Sequence, residues 1–263
     1  MALMIKCIVI EPSYFEEAVE EPAWVDAMIE EYDSIFRNSA WEIVPRPEGK
    51  SVVGSRCIYK VKKAADGSVE KYKAIFVARG FSQIEGIDYE ETFAPVARYS
   101  SIRTILALSV QMGWHIHQMD VKTAFLNRVI EEEVYIEQPE GFKIFSSESH
   151  VCRLKRALYG LKQAPRAWYT RIDSYFTRLG FTKSEADVNQ YQILVEGKLL
   201  IIVLYVDDLI LVGDEQLIHS CKEDLAKDFE MKDMGLLHYF LGLEICREIV
   251  KFVCHKASMQ GRY

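Results

Sequence analysis

The amino-acid sequence predicts an α+β fold built on a split β-α-β (ferredoxin-like) sheet. The first observation is the order of predicted elements from Asp120 onward, which is strand, helix, strand, strand, helix, strand. The second is the apolar run 199–206, which has eight residues, whereas a membrane-spanning helix needs about 20. We therefore interpret this run as a buried strand. The third is the composition, because 49% apolar residues in a chain of 263 can bury a core.

The N-terminal part is predicted to contain one helix followed by short strands. The helix is indicated by apolar residues that recur at spacings of three and four, and Asn38 and Ser39 end it. A strong hairpin signal, Asp66-Gly67, separates the last two strands. The predicted elements are a helix at 22–36 and strands at 41–44, 52–53, 56–62 and 72–78.

From Asp120 onward the remainder is predicted to form the split sheet, with its two helices on one face. Gly113 and Gly180 each stop a helix, and Pro165 starts one. The turn Glu196-Gly197 joins two strands of a second hairpin. The predicted elements are helices at 102–112, 165–179 and 215–229, and strands at 115–121, 191–195, 198–205, 209–212 and 239–246.

The net charge is −7, but the charges are unevenly distributed along the chain. Residues 11–33 include nine acidic and no basic residues. Residues 56–79 include seven basic and two acidic residues, and residues 153–178 seven basic and one acidic. This distribution fits a protein with one basic face for nucleic acid and an acidic remainder. Two solvated element faces would give the same pattern, so the charges alone leave both interpretations open.

Three aspartates are candidates for a metal site. Asp207 and Asp208 lie between two apolar strands, where desolvating carboxylates is costly unless a cation compensates. Asp120 lies near the end of the strand 115–121, which a split sheet can place beside Asp207. Mg²⁺ prefers such hard oxygen ligands, and two ions about 3.5–4 Å apart clamp the attacking and leaving oxygens of an in-line displacement. An ordinary polar turn is the competing interpretation of the Asp-Asp pair.

The sequence gives no indication of disulfides, structural zinc or export. Six cysteines are scattered without a C-x-x-C pair. The apolar start, residues 1–10, contains Lys6 and is followed by acidic residues, which makes it a poor signal peptide. We therefore expect an intracellular protein, cytoplasmic or nuclear, with no signal peptide, no transmembrane segment and no membrane partner.

An ordered set of motifs from about Trp24 to about Arg247 resembles the reverse transcriptase region of copia-type LTR retrotransposon polyproteins. A lone YVDD would be a weak signal, whereas the whole set at family spacing is specific. The motifs are WVDAM at 24–28, NSAW at 38–41, YKA at 72–74, VARGF at 77–81, TFAPV at 92–96, QMDVKTAFLN at 118–127, QPEGF at 138–142, LYGLKQAPRAW at 158–168, YVDD at 205–208, MKDMG at 231–235 and YFLGLE at 239–244.

The resemblance implies roles for individual side chains. Asp120, Asp207 and Asp208 match the family's metal-binding carboxylates, so the expected cofactors are two Mg²⁺ ions, with Mn²⁺ as a substitute. Lys232 matches the lysine that protonates the leaving pyrophosphate. The implied nucleotide-binding residues are Lys62, Lys63, Lys73, Phe125, Tyr159, Gly160 and Gln163. The implied primer or template residues are Arg79, Pro165, Arg166, Tyr205, Leu241 and Gly242.

Several of these assignments have a plainer competing interpretation. Phe125 matches an aromatic gate that collides with a 2′-hydroxyl, yet a core phenylalanine would look the same. Lys73 matches a cation that holds the triphosphate, but it also suits a solvated hairpin edge, and Lys232 suits an ordinary surface. Gly160 would allow close backbone approach, and Pro165 suits the first turn of a helix.

The resemblance also implies an architecture of right-hand polymerase fingers and palm, in which the split β-α-β sheet is the palm and the thumb is largely missing. We expect 1–23 to be a poorly defined N-terminal extension, 24–247 the fingers and palm, and 248–263 an atypical tail in place of a thumb. Two residues depart from the family pattern. Ile75 replaces a basic residue, and Arg128 replaces a glycine, which predicts a strained turn.

The implied function is that of an RNA-directed DNA polymerase (reverse transcriptase) fragment. A primer 3′-hydroxyl would attack the α-phosphate of a dNTP on an RNA or DNA template, and no protein partner is indicated. The intact aspartates favour this function. Ile75, Arg128 and the missing thumb favour the alternative, a catalytically silent relic or a nucleic-acid-binding remnant. A Mg²⁺-dependent nucleotidyl transferase without reverse transcription has no positive support.

Overall fold

The structure is a computed structural model that describes residues 10–63, 68–248 and 251–256. The predicted Asp66-Gly67 turn and parts of the two predicted terminal segments lie outside these residues. Helices occur at α1 (Phe15–Ala18), α2 (Pro22–Arg37), α3 (Tyr99–Met112), α4 (Ala164–Arg178) and α5 (Glu215–Asp228). Strands occur at β1 (Trp41–Pro45), β2 (Val52–Val53), β3 (Ser55–Lys63), β4 (Val69–Ala78), β5 (Ile116–Val121), β6 (Tyr135–Ile136), β7 (His150–Leu154), β8 (Thr182–Lys183), β9 (Gln190–Val195), β10 (Lys198–Tyr205), β11 (Asp208–Gly213), β12 (Met231–Leu236), β13 (Tyr239–Phe240), β14 (Leu243–Glu248) and β15 (Lys251–Lys256).

These elements form two compact units, and the mixed α+β class predicted from the sequence is confirmed. The first unit comprises Met1–Phe93 and Phe125–Trp168, and the second comprises Ala94–Ala124 and Tyr169–Tyr263.

The first unit is organised around helix α2 and the β3–β4 ladder. Trp24 on α2 packs edge-to-face against Tyr59 at 5.6 Å and Tyr72 at 4.7 Å between ring centroids. Pro22 is the first residue of the helix, where its missing N–H costs nothing. A separate four-stranded sheet has the order β1-β7-β6-β2, and its strands β6 and β7 were not predicted from the sequence.

The second unit contains a six-stranded sheet with the order β12-β5-β11-β10-β9-β8. Its first four strands have the order and helical connections of a split β-α-β sheet, as the sequence predicts. The predicted final strand is nevertheless wrong. The strand that completes this sheet is β12, whereas residues 239–246 are divided between β13 and β14 by a turn at Leu241-Gly242. Both turn residues have positive φ, at 50° and 77°, which suits a two-residue hairpin loop.

Helices α3 and α4 cover opposite faces of this sheet. The two helices that follow Asp120, α4 and α5, pack against each other as expected, since Tyr175 of α4 packs edge-to-face on Phe229 at the end of α5. Ile201 and Val203 of β10 belong to a buried cluster with Ile102 and Ile105 of α3. Adjacent strand residues point to opposite faces, so Ile202 and its register partner Tyr191 point away from α3. The Tyr191 ring packs on Phe176 of α4, with centroids 4.8 Å apart. Burial on both faces explains why β10 is apolar along its length.

The strained turn expected at Arg128 is also wrong. Among the described residues other than glycine, positive φ occurs at Ser39, Thr123, Glu196, Val206 and Leu241, and not at Arg128. The Arg128 guanidinium lies 3.1 Å from the Glu131 carboxylate.

No helix in the described ranges combines the length and the apolar composition that crossing a membrane requires.

Candidate active site

Asp120 and Asp208 lie opposite each other on neighbouring strands. In the antiparallel pair of β5 and β11 the two aspartates are register partners. On the other side of β5, Lys232 of β12 is the register partner of Asp120. Directly opposed residues point to the same face of a sheet. The strand pairing therefore places two carboxylates and one exposed ammonium side by side on one face.

Asp207 lies on the two-residue turn that joins β10 to β11. Its neighbour Val206 has φ 56°, an uncommon conformation for a β-branched residue. Two backbone hydrogen bonds hold the turn. Val206 N donates to Pro95 O at 2.7 Å, and Val121 N donates to Asp207 O at 2.9 Å. The second bond places Asp207 next to Val121, the residue that follows Asp120.

Gln118 contributes to this site and was given no role by the sequence analysis. Its Nε2 donates to Asp208 Oδ1 at 2.8 Å. Gln118 lies two positions before Asp120 on β5, so its side chain shares the face of the carboxylates. The spacing within the motif QMD was the available signal, but only the strand register shows that its amide reaches Asp208.

The donor set fits a hard divalent cation, although the carboxylates are not gathered around one point. All three aspartates are half-buried and supply oxygen, the ligand type that Mg²⁺ prefers. Within the described residues, however, no three His, Cys, Asp or Glu side chains are close enough to enclose an ion. Asp120 and Asp208 share a face, and Asp207 is offset by one position on the turn. The assignment of these residues as metal ligands remains a prediction.

The lysines predicted to hold the triphosphate lie on the β3–β4 ladder of the first unit. Lys60 pairs with Lys73 and Lys62 with Lys71, so these four side chains share one face. A register shift separates Lys63 from Lys62. Two lysines that were not predicted have acidic partners from the N-terminal segment. Lys60 lies 2.6 Å from Glu11, and Lys71 lies 2.6 Å from Glu30.

Glu31 is a further acidic neighbour of this lysine face. Burial raises the pKa of its carboxyl, while a hydrogen bond from Phe76 N and the charge of Lys73 oppose that rise. The acidic N-terminal segment therefore contacts part of the basic ladder, instead of forming a separate acidic surface.

Phe125 of the first unit is buried, and its aromatic partner Tyr159 is half-buried. Phe125 is 5% exposed, and its ring packs edge-to-face on Tyr159 with centroids 4.4 Å apart. Gly160 follows with φ 90°, and a Cβ built on it would overlap the carbonyl oxygen of Ala78. A Cβ on Gly80 would in turn overlap the carbonyl oxygen of Gly160. The predicted close backbone approach at Gly160 is thus present within the protein itself.

The other predicted contacts of the first unit have internal partners. Gln163 is buried, its Oε1 accepts from Gln83 Nε2 at 3.1 Å and its Nε2 donates to Asp88 O at 3.1 Å. Pro165 lies in the first turn of α4, as predicted. Arg166 is exposed and lies 2.8 Å from Glu91. The side chain of Arg79 is exposed, and its stem lies beside Gly54.

The predicted primer contacts of the second unit are linked to the turn that carries Asp207, either by adjacency in sequence or by side-chain packing. The Tyr205 ring, directly before Val206, packs edge-to-face on Phe240 at 5.6 Å. Phe240 precedes the Leu241-Gly242 turn, and both turn residues are exposed. The structure therefore brings together Asp120, Asp207, Asp208, Lys232 and Tyr205 in the second unit. The predicted nucleotide-binding residues belong to the first unit.

The amino-acid sequence of this chain is similar to the sequences of known proteins. A model of the family described as reverse transcriptase (RNA-dependent DNA polymerase) matches residues 38–261. The chain is 42% identical over 243 residues to the retrovirus-related Pol polyprotein from transposon TNT 1-94 of Nicotiana tabacum. It is 41% identical over 240 residues to that from transposon RE1 of Arabidopsis thaliana, and each alignment covers 90% of this chain. It is also 28% identical over 253 residues, 89% of this chain, to the transposon Ty1-BR Gag-Pol polyprotein of Saccharomyces cerevisiae.

These alignments cover 18%, 16% and 13% of the three polyproteins, so the chain spans less than a fifth of their length. The family match covers most of the chain, and the two plant relatives exceed 40% identity over nearly all of it. On this evidence the chain belongs to the reverse transcriptase (RNA-dependent DNA polymerase) family, as the domain found in copia-type retrotransposon Pol polyproteins.

Proposed function

We propose that this chain is the catalytic core of an RNA-directed DNA polymerase. It would join a dNTP to a primer 3′-hydroxyl on an RNA or DNA template, with the second unit as palm and the first as fingers. The observation that supports this proposal best is the strand register, which aligns Asp120 with Asp208 and sets Asp207 on the adjoining turn. Carboxylates from two neighbouring strands on one half-buried face suit two-metal phosphoryl transfer, which needs several oxygen ligands close together.

The three aspartates would hold two Mg²⁺ ions, or Mn²⁺ in their place. Ions bound there would neutralise the charge of the triphosphate and lower the pKa of the attacking hydroxyl. Gln118 fixes the orientation of Asp208 through its hydrogen bond to Oδ1. Lys232 stands on the same face beside Asp120 and would donate a proton to the leaving pyrophosphate.

The remaining residues would bind and orient the substrates. Lys62, Lys63 and Lys73 would contact the triphosphate as point charges. Tyr205, held by Phe240, and the exposed Leu241-Gly242 turn would position the primer end. Phe125 is buried against Tyr159, so selection against a 2′-hydroxyl would depend on the pair of rings as a unit.

Primer extension on an RNA template tests the proposal. The chain is compared with the double variant Asp207→Asn, Asp208→Asn in the presence of Mg²⁺ and dNTPs. The matched control is Asp224→Asn, which alters a partly exposed carboxylate of α5 that pairs with its helix neighbour Lys227. We expect extension by the chain and by the control, and loss of extension in the double variant. Equal extension by all three proteins would contradict the proposal.

A nucleic-acid-binding remnant without catalysis is the second candidate. It is favoured by the absence, within the described residues, of a gathered set of metal ligands. It is also favoured by Ile75, which faces Ile58 across the lysine ladder where relatives of this kind are expected to have a basic residue. Fluorescence anisotropy with a labelled primer–template separates the two candidates. A remnant would bind without extension, and its affinity would not depend on Asp207.

A further inference from the structure

The loop between β8 and β9, residues 184–189, buries two polar side chains. Asp187 is 3% exposed and Asn189 is 4% exposed. A buried carboxylate is costly unless hydrogen bonds compensate for its lost hydration. Asp187 has such bonds on both oxygens. Its Oδ2 accepts from Arg98 N at 2.8 Å, and its Oδ1 accepts from Asn189 N at 3.0 Å.

Arg98 belongs to a short segment, Pro95 to Arg98, that supports the aspartate turn. Pro95 O accepts the hydrogen bond of Val206 N, and Val96 forms an isolated antiparallel bridge with Tyr205. The loop also contacts β10 directly, because Leu204 N donates to Asn189 O at 2.8 Å. The loop thus joins the support segment, through Asp187, to the end of β10, through Asn189 O.

The turn needs support because Val206 adopts a left-handed backbone conformation. That conformation is strained for a β-branched residue and persists only when its surroundings impose it. The bond from Val206 N to Pro95 O is one such constraint, and Asp187 fixes the segment that provides it. If the segment moved, Val206 could relax and the Asp207 carboxylate would move relative to Asp120.

We propose that Asp187 is a positioning residue for Asp207, acting through Arg98 N, the segment Pro95 to Arg98 and the Val206 amide. It touches no substrate. Its contribution is to hold the turn in the conformation in which Asp207 and Asp120 can share a metal ion, so the inference deepens the proposed function and rests on it.

Two pairs of variants test this inference. Asp187→Asn preserves the size of the side chain but replaces one acceptor oxygen with a donor that opposes a backbone N–H. Its control, Asp173→Asn, removes a different carboxylate of the second unit, which accepts from Tyr191 Oη at 2.8 Å and pairs with Lys183.

Arg98→Pro removes the backbone N–H that donates a hydrogen bond to Asp187. The φ angle of −65° at Arg98 already suits proline. Its control, Arg98→Ala, retains that N–H. The second pair leaves Asp187 itself in place, so the inference can still be tested if Asp187→Asn does not fold.

The readouts are the rate and KM of single-nucleotide addition, Mn²⁺ affinity by electron paramagnetic resonance, and the free energy of unfolding in urea. For Asp187→Asn and Arg98→Pro we expect a turnover rate lower by roughly 10-fold or more at nearly unchanged KM for dNTP, and weaker Mn²⁺ binding. Asp173→Asn and Arg98→Ala should retain turnover and Mn²⁺ affinity even where they lower stability.

The inference is overturned if turnover and Mn²⁺ affinity follow stability equally in all four variants. It is also overturned if the unaltered chain shows no Mn²⁺ binding that depends on Asp207. If that binding exists but the chain does not extend a primer, the proposed function fails, while the Mn²⁺ comparison still decides the role of Asp187.

Discussion

At the scale of single residues, Gly160 shows how a backbone contact restricts sequence. Its φ of 90° and the overlap that a Cβ would make with Ala78 O exclude other residues for two separate reasons. We predict that Gly160→Ala lowers the free energy of unfolding by about 2 kcal/mol or more, measured by urea denaturation. Gly86→Ala is the matched control. It has φ 79° but open space around its Cβ position, so it isolates the conformational cost of about 1 kcal/mol. Equal losses in both variants would refute the steric explanation.

Gln118 provides a residue-scale prediction for the carboxylate face. Gln118→Leu preserves the approximate size of the side chain but removes the amide that donates to Asp208 Oδ1. An unrestrained carboxylate binds a metal ion less well, so we expect nucleotide addition to slow by roughly 10-fold and the required Mg²⁺ concentration to rise. The same substitution at the exposed Gln192 of β9 should leave both quantities unchanged. Similar Mg²⁺ titrations for the two variants would count against a role for Gln118.

At the scale of elements, periodicity and boundary residues predicted helices α2 to α5 well, while the one-turn helix α1 was not predicted. Helix α5 begins after Asp214, whose carboxylate accepts from Gln216 N and Leu217 N at 3.0 and 3.2 Å, and such caps leave a sequence signal. Strand β12 left no such signal in the sequence, because Gly235 and a register shift interrupt the alternation of residues between the two faces of the strand. The segment 239–246 was predicted as one strand and concealed the turn at Leu241-Gly242, since leucine is unusual at positive φ.

The candidate site was predictable from the sequence wherever the type of a residue indicates its chemistry. Carboxylates at a hairpin tip and a lysine-rich ladder could be found from composition and spacing. The bonds of Gln118 to Asp208 and of Asp187 to Arg98 N could not, because each depends on register or on long-range packing. Gln163 illustrates the opposite case, since its motif position implies a substrate contact while its amide is bonded to Gln83 and Asp88.

Helix α5 and strand β5 share a titratable network that makes stability depend on pH. Lys222 donates to His117 Nδ1 at 3.1 Å, which leaves Nε2–H to donate to Glu215 at 3.2 Å. Burial, and next the charge of Lys222, lower the pKa of His117. The unfolded chain therefore takes up a proton near pH 6.5 that the folded chain binds only at lower pH. The free energy of unfolding should fall as the pH decreases through about 6.5.

Urea denaturation between about pH 7.5 and about pH 5.5 measures this effect. His117→Gln should flatten the decline, since it removes the titrating ring. His219→Gln, at an exposed position of α5, should leave the decline intact. A decline of the same size in His117→Gln would show that other groups cause it.

At the scale of the whole molecule, a net charge of −7 is compatible with nucleic acid binding because the basic residues are concentrated in two segments of the sequence. We predict that affinity for a primer–template falls steeply with salt. Lys73→Gln should reduce the slope of log affinity against log salt concentration by about 1 if this lysine contacts phosphate. Lys71→Gln is the matched control, because Lys71 is paired with Glu30 on the same ladder. Anisotropy titrations at several salt concentrations measure the slopes, and an equal reduction in both variants would argue against selective use of Lys73.

The close backbone contact between Gly80 and Gly160 also determines which random mutations copies of this sequence can accumulate. At either codon, any amino-acid replacement adds a Cβ that overlaps backbone, so replacement of either glycine destabilises the folded protein regardless of catalysis. Replacement of Asp207 by asparagine would abolish the proposed chemistry while leaving the backbone bonds of the turn available. Copies retained only as folded proteins that bind nucleic acid would therefore tolerate loss of Asp207 but not of either glycine, and aligned copies could show which activity selection had preserved.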